Sequence, residues 1–198
     1  VAAEHRKQAA SDAMAFAEAG IDVVAIDADP ATVEIATWNL ALVGAGPARL
    51  GLAEELTIPD GDAVFLDPAR RTARGRTWNV EHFTPPWGLV MEYVASQRFV
   101  CVKLGPGVPK EILPAHVQCC WVSDRGDVCE ASLWNSATGH VAVRMGSPVA
   151  ELGSSGAQLP VAAVGRFVAE PDGAAIRAGL VAESAGGAPA WLLDAHVA

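Results

Sequence analysis

The sequence has no apolar run approaching the about eighteen residues that a membrane-spanning helix needs, so a membrane protein of the helical kind is not expected. Cysteine is scarce and poorly spaced. Cys101, Cys119, Cys120 and Cys129 form no C-x-x-C pair, which argues against a metal site or a disulfide framework. Their apolar surroundings suit buried thiols in a reducing, cytoplasmic compartment. Positive charge is in deficit, with 14 Lys and Arg against 23 Asp and Glu and a net charge of −9. That balance opposes a broad nucleic-acid-binding surface and leaves room only for a local basic mouth. Methionine is missing from position 1, so Val1 reads as a cut or processed end, and no signal-peptide pattern follows it. Internal repeats and low-complexity tracts are absent. At 198 residues the chain suits one domain with an appendage, or one large and one very small domain.

What is present centres on residues 62–71, DAVFLDPARR. A short apolar run ends in Asp67, followed at once by Pro68 and two arginines. This is the pattern of a buried parallel strand that stops abruptly, since proline cannot donate to a sheet ladder. In open α/β sheets ligands bind beyond the carboxyl ends of strands, which places Asp67 and Arg70 where chemistry is expected. An ordinary strand-to-loop junction with a solvated acid is the alternative.

Taken in order, residues 1–10 read as a helix and Ser11-Asp12 as the cap of a second one ending near Ala19, with Gly20 beyond it. Ile21–Ile26 is strand-like and ends at Asp27. Asp29-Pro30 then supplies an N-cap and a first-turn proline for a helix to about Val43. A weak strand is expected over Arg49–Ala53. Residues 69–86 have little periodicity but hold four arginines together with Trp78, His82 and Phe83, and Trp87 follows directly. A loop this long inside a compact domain is usually functional or disordered. A short helix over Leu89–Ala95 and a buried strand over Phe99–Leu104 follow, with Lys103 near the strand's end and Gly105-Pro106-Gly107 after it. Residues 117–124 and 127–135 read as an antiparallel hairpin turning at Arg125-Gly126, and His140–Met145 as a further strand. Gly146–Gly156 has the composition of a linker. Beyond it lie a strand around Val161–Val168, a helix from Ala174 to about Ser184 and a strand-like run at Trp191–Leu193.

Strands alternating with helices, then a hairpin, imply an α/β fold with a mostly parallel sheet covered on both faces. An acid ending the second strand of such a fold commonly accepts ribose hydroxyls. Asp27 stands there, with the start of the Asp29 cap as the alternative role. A nicotinamide enzyme would use the same acid, but the terminal hairpin and the DPAR turn disfavour that class. The arginines suit phosphate contacts, and Trp78 and Trp87 suit either base stacking or core packing.

The segments IDADP, VFLDPARR, VKLGPGVP, GDVCEASLW and EPDGAAIRAGLV stand in this order. Together they resemble bacterial class I S-adenosylmethionine-dependent methyltransferases that carry a C-terminal THUMP-like domain. The resemblance implies a Rossmann-like methyltransferase domain over residues 1–146 and a small THUMP-like α+β unit over residues 157–198. It implies an active-site motif at Asp67, Pro68, Ala69 and Arg70, with S-adenosylmethionine held by Asp12, Asp27, Ala28 and Glu54. It further implies methylation of a base nitrogen in RNA or another nucleic acid, and Arg71, Arg74 and Arg76 are the residues expected to contact that acceptor. The first strand and glycine-rich loop of such enzymes are missing, and a lost segment is expected between Ala10 and Ser11. Without that loop, a catalytically degenerate RNA- or protein-binding module is the competing reading.

Overall fold

The computed structural model describes residues 10–72, 75–158, 167–185 and 192–197, and the chain forms two compact units, Val1–Pro59 and Asp60–Ala198. In the first, α1 (Ser11–Glu18), β1 (Ile26–Asp27), α2 (Pro30–Leu42) and β2 (Arg49–Leu50) follow one another, and a 3₁₀ turn spans Ala53–Glu55. Both helices end for the same reason. Gly20 and Gly44 take left-handed backbones, with φ of 83° and 73°. Ile21 N–H then reaches back to the Phe16 carbonyl, and Ala45 N–H to the Leu40 carbonyl, satisfying carbonyls that a helix end leaves without partners. The start of α2 is set by Asp29, whose carboxylate accepts from Ala31 N–H and Thr32 N–H ahead of Pro30.

Two expectations change here. The residue capping α1 is Ala10, in a left-handed conformation with no side-chain cap, instead of Ser11 or Asp12. The Ala10 carbonyl accepts from Met14 N–H at 2.8 Å, which joins Ala10 to the first turn of α1. The strand expected over Ile21–Ile26 forms ladder bonds only at Ile26–Asp27, pairing parallel with Arg49–Leu50. The helix expected over residues 1–10 lies, apart from Ala10, outside the described residues.

The second unit is built on a six-stranded sheet. Its strands are β3 (Val64–Leu66), β6 (Val100–Leu104), β7 (Gln118–Asp124), β8 (Asp127–Trp134), β9 (Gly139–Arg144) and β10 (Ala150–Gly153). A small hairpin, β4 (Arg71–Thr72) and β5 (Gly75–Arg76), leaves the end of β3, and α3 (Trp87–Val94) precedes β6. The spatial order is β10-β9-β7-β8-β6-β3. Pairing is parallel for β3 with β6 and for β7 with β9, and antiparallel elsewhere. The sheet is therefore mixed rather than mostly parallel. The expected hairpin is present: Arg125 and Gly126 have φ of 51° and 89°, the positive values that a tight two-residue connection between twisted strands requires.

Burial follows the strand period. Along β7, Cys119, Trp121 and Ser123 face inward while Gln118, Cys120 and Val122 are half-exposed. β6 is buried at Val100, Cys101, Val102 and Leu104, as a central strand covered on both faces must be. The stretch expected as a linker supplies β10, which pairs with β9 from Ala150↔Arg144 to Gly153↔Val141. Beyond it come β11 (Phe167–Pro171), α4 (Gly173–Ala178), α5 (Val181–Ala185) and β12 (Leu192–Val197), with β11 antiparallel to β12. The single helix expected to about Ser184 is thus two, divided at Gly179, whose φ is 76°. Most of the strand expected at Val161–Val168 lies outside the described residues.

α4 packs on β7 and β9 through the buried small residues Ala174, Ala175 and Ala178. Gly173 permits the approach: a Cβ there would lie 2.7 Å from Val128 Cγ2. The fully buried Asp172 pins the helix, accepting from Ser123 Oγ at 2.7 Å and from Ala174 N–H at 2.8 Å. The segment around α4 is consequently docked on the sheet of the second unit.

Candidate active site

In the first unit the parallel pair β1–β2 brings two chain exits to one edge. Asp27 ends β1, and Gly51 N–H bonds to the Asp27 carbonyl at 3.1 Å as the chain leaves β2. Glu54 follows on the exposed 3₁₀ turn. The half-buried Asp27 carboxylate is oriented locally: one oxygen, Oδ1, accepts from Asp29 N–H at 2.8 Å. This is the capping role weighed for Asp27 from the sequence, and it uses one oxygen only. Ala28 lies exposed in the turn between the two acids, and Asp12 sits in the first turn of α1. The Thr32 hydroxyl and N–H beside Asp29 hold that carboxyl below the usual aspartate range, so the cap is charged at neutral pH.

In the second unit the parallel pair β3–β6 does the same at another edge, in register from Val64↔Val100 to Leu66↔Val102. Asp67 leaves β3 exposed, Pro68 is buried, and Lys103 and Gly105 at the end of β6 are half-buried. Ala69 exchanges two backbone hydrogen bonds with Thr84, at 2.8 and 3.0 Å. Arg70 is half-buried, with its guanidinium carbon 4.0 Å from the centre of the Trp78 ring. Asp67, Pro68, Ala69 and Arg70 thus lie in the stretch that follows the end of β3.

The β4–β5 hairpin springs from this turn, with Arg71 and Arg76 paired in register. Arg74 lies outside the described residues. The aromatic residues form a packed group: Phe83 is buried, 6.5 Å from Trp78 and 5.5 Å edge-on from Trp87 between ring centres. Trp78 carries the Arg70 guanidinium on its ring and is itself half-buried. What sequence reasoning missed is the partnership of Arg70 with Gly105. A Cβ on Gly105 would lie 3.0 Å from Arg70 Cζ and closer still to Nη2. The signal available was a glycine immediately after a buried strand, where backbone meets another group closely.

Elsewhere the chemistry is quiet. Burial pushes the Cys119 and Cys120 thiols up to about 11, far from the range of reactive thiolates. Among the described residues no group of His, Cys, Asp and Glu could hold a metal ion, and no helix is long and apolar enough to cross a membrane.

The chain is similar to two proteins of Mycobacterium tuberculosis, each named as an uncharacterized S-adenosylmethionine-dependent methyltransferase: MT3122 of strain CDC 1551 / Oshkosh and Rv3037c of strain ATCC 25618 / H37Rv. Identity is 32% over 193 residues in both cases, covering 93% of this chain and 53% of each relative. The chain thus spans about half the length of the curated relatives it matches. No family model matches, and no solved structure does.

Proposed function

We propose that this chain is part of an S-adenosylmethionine-dependent methyltransferase that acts in the cytoplasm on a base nitrogen of RNA or another nucleic acid. The observation that supports the methyltransferase part of the reading is the 32% identity, over 93% of the chain, to two proteins named as uncharacterized S-adenosylmethionine-dependent methyltransferases. The donor set suits the cofactor. Asp27 keeps an oxygen with no partner among the described residues while the other fixes its orientation, which suits a ribose hydroxyl. Glu54 and Asp12 are the further cofactor contacts. When bound, S-adenosylmethionine supplies a methyl group on a sulfonium that is already a good leaving group. The work left to the protein is positioning.

Asp67 takes that role. Its carboxylate accepts a hydrogen bond from the exocyclic amine and directs the nitrogen lone pair, on a turn held by Pro68 and by the Ala69–Thr84 bonds. Arg71, Arg74 and Arg76 bind phosphates around the β4–β5 hairpin. The segment from residue 157 onward serves as a THUMP-like RNA-contacting unit.

The test is calorimetry of the full-length protein with S-adenosylmethionine and S-adenosylhomocysteine, followed by transfer of labelled methyl to deproteinised bacterial RNA. Wild type is expected to bind both and to transfer, and Asp67→Ala to bind within a few-fold and transfer nothing. No heat with either compound would point instead to a degenerate binding module. Wild-type transfer by Asp67→Ala would remove Asp67 from the reaction.

A further inference from the structure

We infer that Arg70 is a positioning residue, clamped between Trp78 and Gly105, that holds the Asp67 turn to the exit of β6 instead of binding the acceptor's phosphates. Three independent interactions meet at this residue's side chain and backbone. The guanidinium carbon lies 4.0 Å from the Trp78 ring centre. The same guanidinium lies against Gly105, so closely that any larger residue at that position would collide with it. The Arg70 carbonyl accepts from Thr77 N–H at 2.9 Å, one residue before Trp78. Side chain and main chain therefore close the base of the β4–β5 hairpin together.

The clamp joins three stretches that are distant in sequence: the turn after β3, the exit from β5 that carries Trp78, and the loop after β6. Gly107 is close as well, since a Cβ there would touch Trp78 Cζ2 at 4.0 Å. On the other side of Arg70, Ala69 is bonded twice to Thr84. Asp67 is followed by a buried proline, a bridged alanine and a stacked arginine, which fixes the backbone that carries its carboxylate. A planar guanidinium lying on an indole does this; an ammonium is a point charge without a face to stack.

The catalytic consequence rests on the methyltransferase reading, whereas the clamp is testable without it. The experiment is hydrogen exchange at the Ala69, Thr77 and Thr84 amides of the full-length protein, for wild type, Arg70→Ala, Arg70→Lys, Gly105→Ala and Trp78→Phe, paired with methyl-transfer kinetics on bacterial RNA. Arg70→Ala and Gly105→Ala are expected to exchange these amides at least about tenfold faster, Arg70→Lys to fail to restore them, and Trp78→Phe, which keeps a ring, to stay near wild type. The kcat of Arg70→Ala should fall about 10- to 100-fold with KM for S-adenosylmethionine changed by less than about twofold. Wild-type exchange in Arg70→Ala overturns the clamp. So does a raised KM for RNA at unchanged kcat, which would mark a phosphate contact. Should Arg70→Ala fail to fold, Trp78→Phe against Trp78→Leu decides it: equal protection in the two overturns the clamp. A wild type that is protected at these amides yet neither binds S-adenosylmethionine nor transfers its methyl group refutes the methyltransferase reading and leaves the clamp standing.

Discussion

Replacing Asn135 with alanine should destabilise the second unit far more than a half-exposed polar residue normally would. The Asn135 Oδ1 accepts from Val100 N–H at 2.8 Å, and its Nδ2 donates to the carbonyls of Arg98 at 2.8 Å and Val94 at 3.2 Å. One side chain thus ties the end of α3, the turn after it and the first residue of β6. The amide orientation is forced, because an oxygen is needed at the N–H and a nitrogen at the two carbonyls. Each bond contributes about 1 kcal/mol net, and the Val100 N–H, on a residue with no exposed surface, would be left buried without a partner at about 1–3 kcal/mol. Allowing for overlap between these terms, the destabilisation is about 3 kcal/mol, a large share of the about 5–15 kcal/mol typical of a domain. The assay is urea denaturation followed by circular dichroism, where the midpoint should fall at unchanged slope. Asn135→Asp keeps the acceptor but turns the donor into an oxygen facing two carbonyls, so it should be nearly as damaging. A change below about 0.5 kcal/mol in Asn135→Ala, the range of ordinary surface substitutions, would refute the reasoning.

Asp27→Ala should weaken S-adenosylmethionine binding by roughly 1–3 kcal/mol, the scale of hydrogen bonds to a charged group; unchanged affinity by titration would remove Asp27 from the cofactor site. Replacing Arg71, Arg74 and Arg76 together with alanine should weaken RNA binding and flatten its dependence on salt, because a protein that neutralises fewer phosphates releases fewer counterions. The Asp29 carboxyl, lowered chiefly by the Thr32 hydroxyl, should titrate below its unfolded value of about 3.9 in an NMR pH series. Its contribution to α2 is then complete above that value and lost as pH falls through the folded pKa. Thiol labelling at pH 8 should modify the exposed Cys129 first, while Cys119 and Cys120, raised to about 11 by burial, react slowly until the protein unfolds.

Local chemistry was legible where the sequence alone decides it. Asp29-Pro30 marked the start of α2 and Arg125-Gly126 the hairpin turn, because a cap and a positive φ are settled within a few residues. β10 was not legible. Ala150–Gly153 has the glycine and serine neighbours of a linker, and only the exposed ladder of β9 makes it a strand. The same holds at the candidate site. The DPAR turn stood out as a strand end, whereas the packing of Arg70 on Trp78 and Gly105 depends on residues 8 and 35 positions away. No periodicity reports a meeting of that kind. Asp27 is the opposite case: its bond to Asp29 N–H is a two-residue matter, and the sequence already offered that capping role.

The insertion of β8 between β6 and β7 has a consequence for how the polypeptide is made. β6 gains its antiparallel neighbour only with β8, whose Ala131–Trp134 stretch pairs with Leu104–Cys101. While the ribosome adds residues 105–134, β3 and β6 form a parallel ribbon with an apolar open edge, and two strands alone are marginal in water. The hairpin β7–β8 is the local structure that closes it, since its turn is only two residues long and hairpins form within microseconds. Translation that stalls before β8 has emerged from the ribosome would therefore leave a sticky nascent chain, and stalling after its emergence would not.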